Sequence, residues 1–244
     1  ELTKKQILLH SKHQFKDGTV YHWWHTLTEW GLITKMTDDL LWLVYVTLNY
    51  IDETGDLKIL DEKTEYLDGP KDTIYKHCIA SIERVLARFS KRGLPLILWG
   101  DWNDGLSCVG LNGKGESIWL GQFLYGILLR FSQIAEKKRN LTISKKYRKK
   151  AEALKKAINK YGWDGKWYIA ATKDDGKPLG SSKNDEFKIY LNTQTWSVIN
   201  DCAIEDRNVT AMNSLEEYLD KDFGPLLLAP SFTKADSSIG YITR

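Results

Sequence analysis

The sequence predicts an all-α fold, a helical bundle or α/α toroid whose site is built from loops at one end. Three observations predict it. Apolar residues recur at helical spacing through seven separate stretches. Strand-like runs are few and short. The connections between the helical stretches are long and rich in Trp, Asp, Gly and Asn.

Residues 4–14 read as a short helix with Ile7, Leu8 and His10 inward. Gly18-Thr19-Val20-Tyr21 then turns into His22-Trp23-Trp24-His25. Two His at i and i+3 suggest a metal pair, an aromatic wall around a sugar, or plain core; no third ligand lies nearby. Thr37 or Asp38 caps the next helix, and the macrodipole stabilises Asp38 and Asp39 at its start. The functional alternative is that one of these two acids faces a pocket and binds sugar hydroxyls.

Residues 40–49 are apolar nearly all round, so this helix is expected to be buried on most sides. Gly55 suits a left-handed stop. Residues 66–70 read as irregular, and residues 72–89 as an amphipathic helix with Ile74, Cys78, Ile82, Val85 and Leu86 on one side. Helices follow over 116–136 and 145–161, then a tight turn and short strand over 163–170 and a Gly- and Asp-rich loop over 172–188. Two further helices, 193–199 and 207–219, precede an extended stretch at 224–230.

The 244 residues suffice for one large domain or two small ones with a real core. A net charge of +3 comes from local patches at 137–139 and 145–150. These sit on polar helix faces, and no basic stripe is interleaved with aromatics, so neither nucleic acid nor membrane is an expected partner. Three scattered cysteines give no disulfide framework and no zinc spacing. They point to a reducing compartment and cytoplasmic placement. Two glycosylation sequons, at Asn140 and Asn208, have no other sign of secretion beside them. The apolar stretch 40–51 is too short to span a bilayer. No signal peptide precedes the first helix, and the start at Glu1 without Met suggests a piece of something longer.

The chemistry is concentrated in Leu98-Trp99-Gly100-Asp101-Trp102-Asn103-Asp104-Gly105 and the nearby Gly113-Lys114-Gly115-Glu116-Ser117. Asp prefers water, whereas Trp prefers burial with its N–H satisfied. A sugar site wants both, because the C–H face of the ring stacks on indole while its hydroxyls need carboxylate and amide partners. A turn with Asx caps and two core tryptophans would also hold these residues.

These motifs resemble the glycoside hydrolase family 94 phosphorylases. The matching residues are Gly18 with His22-Trp23-Trp24-His25, Thr37-Asp38-Asp39-Leu40-Leu41-Trp42-Leu43, Tyr50-Ile51-Asp52-Glu53-Thr54-Gly55-Asp56 and His77-Cys78-Ile79. Gly93-Leu94-Pro95-Leu96, the Asp101–Gly105 and Gly113–Ser117 motifs, Trp163-Asp164-Gly165, Gly180 and Gln194-Thr195-Trp196 continue the match along nearly the whole chain. His-Trp-Trp-His and Asp-Asp-Leu-Leu-Trp-Leu bring it nearest to the cyclic β-1,2-glucan synthase-like branch.

The resemblance implies that residues 1–244 are a portion of an (α/α)6 barrel catalytic domain. Its reaction would be inverting phosphorolysis of a β-glucosidic bond, giving an α-sugar 1-phosphate. Asp104 would be the general acid, and Trp102 would shape the donor-sugar subsite. Asp39 would hold sugar hydroxyls, Asp101 would support the loop, and Lys35 and Gln194 would complete the substrate-binding set. No cofactor or metal is implied; inorganic phosphate is the co-substrate. Homodimerisation is common in the family.

One acid suffices for such chemistry. An inverting hydrolase needs a second carboxylate to activate water, whereas phosphate is already an anionic nucleophile. A carboxyl raised in pKa and shielded by Trp102 can protonate the leaving oxygen. Two departures from the family stand out. Ile33 and Lys35 occupy the region where arginine is expected, and lysine offers no bidentate fork. The family's phosphate-binding His, Thr and Gly segment is expected downstream and a β-sandwich domain upstream, making this chain an incomplete toroid. Two other readings are an inverting hydrolase using Glu116 or Asp185 as its second acid, and a non-catalytic carbohydrate-binding portion of a larger glucan synthase.

Overall fold

The computed structural model describes residues 1–243. Helices dominate, strands of two to five residues sit in the loops, and no closed sheet occurs among the described residues. This is the composition of the (α/α)6 toroid class. The chain divides into two compact units, Glu1–Arg88 and the remainder from Phe89.

The first unit contains α1 (Leu2–Lys12), β1 (Trp23–Trp24), β2 (Gly31–Leu32), α2 (Asp39–Thr54), β3 (Lys63–Tyr66), β4 (Gly69–Thr73) and α3 (Ile74–Leu86). Helix α2 packs on α1 and α3. Its Leu40, Leu41, Leu43, Val44, Leu48 and Ile51 are buried, as are Ile74, Cys78, Ile82 and Val85 of α3. Gly55 ends α2 in the left-handed region at φ 69°, where a Cβ would be strained. Asp38 occupies the N-cap position without capping the backbone. Its Oδ2 instead accepts the Trp42 indole N–H at 3.0 Å. The stretch 66–70, expected to be irregular, is the turn end of the antiparallel pair β3–β4, whose register shifts between Glu65 and Tyr66.

A polar cluster lies inside this unit. Gln14 donates to Ser81 Oγ at 2.7 Å and its Oε1 lies 2.7 Å from His77 Nδ1. His77 Nε2 is 3.1 Å from Thr64 Oγ1, and Tyr66 stacks on the ring at 3.9 Å. Burial holds the His77 imidazole below its usual pKa, the direction expected when desolvation penalises the cation.

In the second unit, β5 (Glu116–Ser117) leads into α4 (Ile118–Lys137), buried over most of its length. After a short turn, α5 (Leu141–Tyr161) packs back along it. It begins at an Asn140 cap, whose Oδ1 accepts the Ile143 N–H at 3.2 Å. Helix α5 turns Tyr147, Ala151, Leu154, Ala157 and Ile158 inward and leaves most of its lysines exposed. Strands β6 (Ala171–Thr172) and β7 (Pro178–Leu179) complete a three-stranded antiparallel sheet with β5. Strand β8 (Ile189–Tyr190) opens α6 (Leu191–Ile199), α7 (Arg207–Tyr218) follows, and β9 (Leu228–Ala229) returns to pair with β8. A core of Ile97, Leu106, Phe187, Tyr190 and Ile239 takes in Ile97 before and Leu106 after the loop residues Asp101 and Asp104. Burial pushes the thiols of Cys78 and Cys202 up to about 12, and all three cysteines are unbridged. No helix among the described residues is long and apolar enough to cross a membrane.

Candidate active site

The loop after Leu98 is shaped by its own polar side chains. Asp101 is 2% exposed. It accepts Ser117 Oγ–H at 2.6 Å and the Asn103 backbone N–H at 3.0 Å. Burial pushes its carboxyl up to about 6, against the opposing effect of those donors. Asn103 in turn accepts the Gly105 N–H at 3.0 Å, which closes an Asx turn. That turn starts the 3-10 helix Asp104–Leu106. Asp104 is exposed at its first position, and Trp102 beside it is 46% exposed. Asp101, Trp102 and Asp104 therefore share one loop but face different surroundings.

Two further acids brace this region. Glu116 is 2% exposed and forms a two-point ion pair with Arg92, with Arg92 Nε at 3.1 Å from Oε1. Thr172 Oγ1 donates to the same carboxylate at 3.0 Å. Asp174 accepts backbone N–H groups of Asn112, Lys114 and Gly115 at 2.7–2.9 Å. Burial pushes its carboxyl up, but the three backbone donors and Lys114 outweigh this and hold it below its usual value. Asp174 thus fills with its own charge the nest of N–H groups at the glycine turn. Neither Arg92 nor Asp174 stands out in the sequence.

Gln194 is fully buried on α6. Its Nε2 donates to the carbonyls of Tyr168 and Tyr190 at 2.8 Å, and its Oε1 accepts the Tyr168 N–H at 2.9 Å. Its amide is a tie between backbone segments, and the structure does not bring it to the loop surface. The effect on the loop is indirect, since Asn103 Nδ2 reaches the Tyr190 hydroxyl at 3.4 Å.

Asp39 and Lys35 belong to the first unit. Asp39 is the first residue of α2, with its side chain 13% exposed. Thr34 Oγ1 donates to its Oδ2 at 2.8 Å, and His22 Nδ1 lies 2.9 and 3.1 Å from its two oxygens. Lys35 is exposed. The structure turns His22 to Asp39 and leaves His25 exposed, and no group of three or more His, Cys, Asp and Glu among the described residues is arranged to hold a metal ion.

The family profile described as "Glycosyl hydrolase 94 superfamily, catalytic domain" matches residues 1–244. The chain belongs to this superfamily. It is 34% identical over 99% of its length to a cyclic β-(1,2)-glucan synthase of Rhizobium meliloti, of which it covers 9%. It is 35% identical over 99% of its length to a solabiose phosphorylase of Paenibacillus borealis, covering 31% of that protein. An N,N'-diacetylchitobiose phosphorylase of Vibrio furnissii is 33% identical over 88% of the chain, which covers 26% of it. The chain therefore spans from a tenth to a third of the length of these curated relatives. Among solved structures, a GH78 family rhamnosidase of Bacillus sp. GL1 superposes with a TM-score of 0.58 over 74% of this chain and 17% of that one. At 16% identity it shares the fold alone.

Proposed function

We propose that this chain is part of an inverting β-glucoside phosphorylase with Asp104 as general acid. A phosphate oxygen attacks the anomeric carbon and the glycosidic C–O bond breaks. The Asp104 carboxyl gives its proton to the departing oxygen, leaving an α-sugar 1-phosphate and a shortened sugar. The single observation that carries this reading is the unequal placement of the two loop acids. Asp101 is buried with its oxygens committed to Ser117 and Asn103, whereas Asp104 is exposed, two residues after the half-exposed Trp102. Trp102 offers the stacking surface, Asp39 holds hydroxyls of the donor sugar, and Lys35 contributes charge nearby in sequence. Asp101 supports the loop, and Gln194 supports Tyr190 beneath it.

The hydrolytic reading loses one of its two acids, because Glu116 is enclosed by Arg92 and Thr172 and is unsuited to activating water. Identities of 34% to the glucan synthase and 35% to the solabiose phosphorylase leave the linkage and branch undivided.

The test uses the full-length protein that carries this chain and a panel of β-linked gluco-disaccharides and oligosaccharides. α-Sugar 1-phosphate that forms only when inorganic phosphate is present establishes the phosphorylase and its linkage. Free sugar released without phosphate establishes a hydrolase instead. Oligosaccharide binding without turnover in either buffer supports the non-catalytic module.

A further inference from the structure

The segment between α1 and α2 brings two hydrogen-bond donors to one carboxylate. Strands β1 and β2 pair with Trp23 opposite Leu32, and the His22 N–H donates to the Leu32 carbonyl at 2.8 Å. His22 and Thr34 therefore leave the two ends of one hairpin, and both reach Asp39. The hairpin is itself anchored. Trp24 stacks on His13 at 4.1 Å, and His13 Nε2 lies 2.7 Å from the Glu29 carboxylate. Gly31 rests against Tyr21, where an added Cβ would come within 2.3 Å of the ring. Only glycine permits that approach.

We propose that His22 is a positioning residue that fixes the Asp39 carboxylate for the sugar hydroxyls it receives. The proposal rests on the reading of Asp39 given above. A carboxylate rotates through a broad range about its last torsion. Donors from two backbone positions remove that freedom, with His22 spanning both oxygens and Thr34 fixing one. An ionised carboxylate accepts only, so the proton of the imidazole stands on Nδ1. A carboxylate has about four acceptor sites, so these donors leave capacity for a hydroxyl of a ligand. Histidine–carboxylate pairs also orient metal-bound imidazoles. Among the described residues no group of three or more His, Cys, Asp and Glu is arranged to hold a metal ion.

The test is a cycle of His22→Ala, Asp39→Ala and the double variant in the full-length protein, with His22→Asn as the conservative replacement. The asparagine amide can place an N–H near the position of Nδ1. His22→Ala should lower kcat/KM about 10- to 100-fold, the scale of misplacing a binding group by about 1 Å. His22→Asn should restore most of the loss, and the double variant should be no worse than Asp39→Ala. Additive losses, or an alanine variant as active as the parent, would overturn the proposal. The cycle is also read on calorimetric binding of a β-linked oligosaccharide, and 15N NMR follows the His22 ring with and without the Asp39 carboxylate. Binding coupled through His22 in a protein without phosphorolysis would sink the phosphorylase reading and keep the positioning role. A His22 ring whose signals ignore Asp39→Ala would sink the positioning role alone.

Discussion

The loop around Asp101 and the start of α2 each carry two acids, and in each region the first is buried as support. Asp38 is 5% exposed and takes the Trp42 indole N–H; Asp101 is 2% exposed and takes the Ser117 hydroxyl. The second acids differ. Asp39 is set between His22 and Thr34, which hold its two oxygens in place. Asp104 stands exposed at the head of a short turn. An acid that is to accept hydroxyl hydrogens gains from fixed donors, whereas an acid that is to deliver a proton gains from access to the leaving oxygen. The contrast matches the two roles proposed.

The sharpest way to break the comparison is to neutralise each acid of the loop in turn. Asp104→Asn should lower kcat by about 10²- to 10⁴-fold, the usual contribution of a general acid, with the thermal midpoint unchanged and oligosaccharide binding retained. Unaltered turnover would remove Asp104 from the chemistry. Asp101→Ala should act through stability. It strands the Ser117 hydroxyl and the Asn103 N–H, at a cost of about 1–3 kcal/mol in urea unfolding. Loss of turnover without loss of stability would make Asp101 the acting acid.

The brace at Glu116 carries an effect of intermediate size. Arg92→Met leaves a carboxylate 2% exposed without its cation, which should cost about 3–5 kcal/mol. Glu116→Gln leaves Arg92, whose side chain is 38% exposed and can turn to water, and should cost less. Equal losses would mean that the pair acts through packing alone, the Arg92 guanidinium lying 5.1 Å over the Tyr161 ring.

Most helices were legible because their apolar periods were long, as in α3, or continuous, as in α4. Element starts were less so. Helix α5 begins at Leu141 after its Asn140 cap, four residues ahead of Lys145, because Leu141 and Ile143 of its first turn lie outside the apolar face that Tyr147, Ala151 and Leu154 bury. The β3–β4 pair was missed because β3 buries only Thr64 and Tyr66, too short an alternation beside Asp68-Gly69-Pro70. In the candidate site the acids and indoles stand in the motifs themselves. Which residue each of them meets is not written there, because pairing across a fold leaves no local trace. Ser117 meets Asp101 across 16 residues, His22 meets Asp39 across 17, and Asp174 meets Lys114 across 60.

The smallest effect separates two buried titratable groups, His77 and Asp101, by sign. Burial lowers the pKa of the imidazole and raises that of the carboxyl to about 6, favouring the neutral form in both. For His77 the unfolded chain holds the proton more tightly, so its contribution is present above the unfolded value near 6.5 and is lost as pH falls below it. For Asp101 the folded chain holds the proton more tightly. Its contribution is complete below the ordinary value of 3.8 and is lost as pH rises through about 6. Each group can impose a slope of at most about 1.4 kcal/mol per pH unit. Urea midpoints of the parent, His77→Gln and Asp101→Asn between pH 4 and pH 7 should therefore diverge in opposite directions, using about four buffers. The deficit of Asp101→Asn should shrink as pH rises, because the parent then bears a buried charge that the amide avoids. The deficit of His77→Gln should grow, because the parent recovers its neutral ring. A parallel shift of both variants would mean that neither group titrates inside the folded chain.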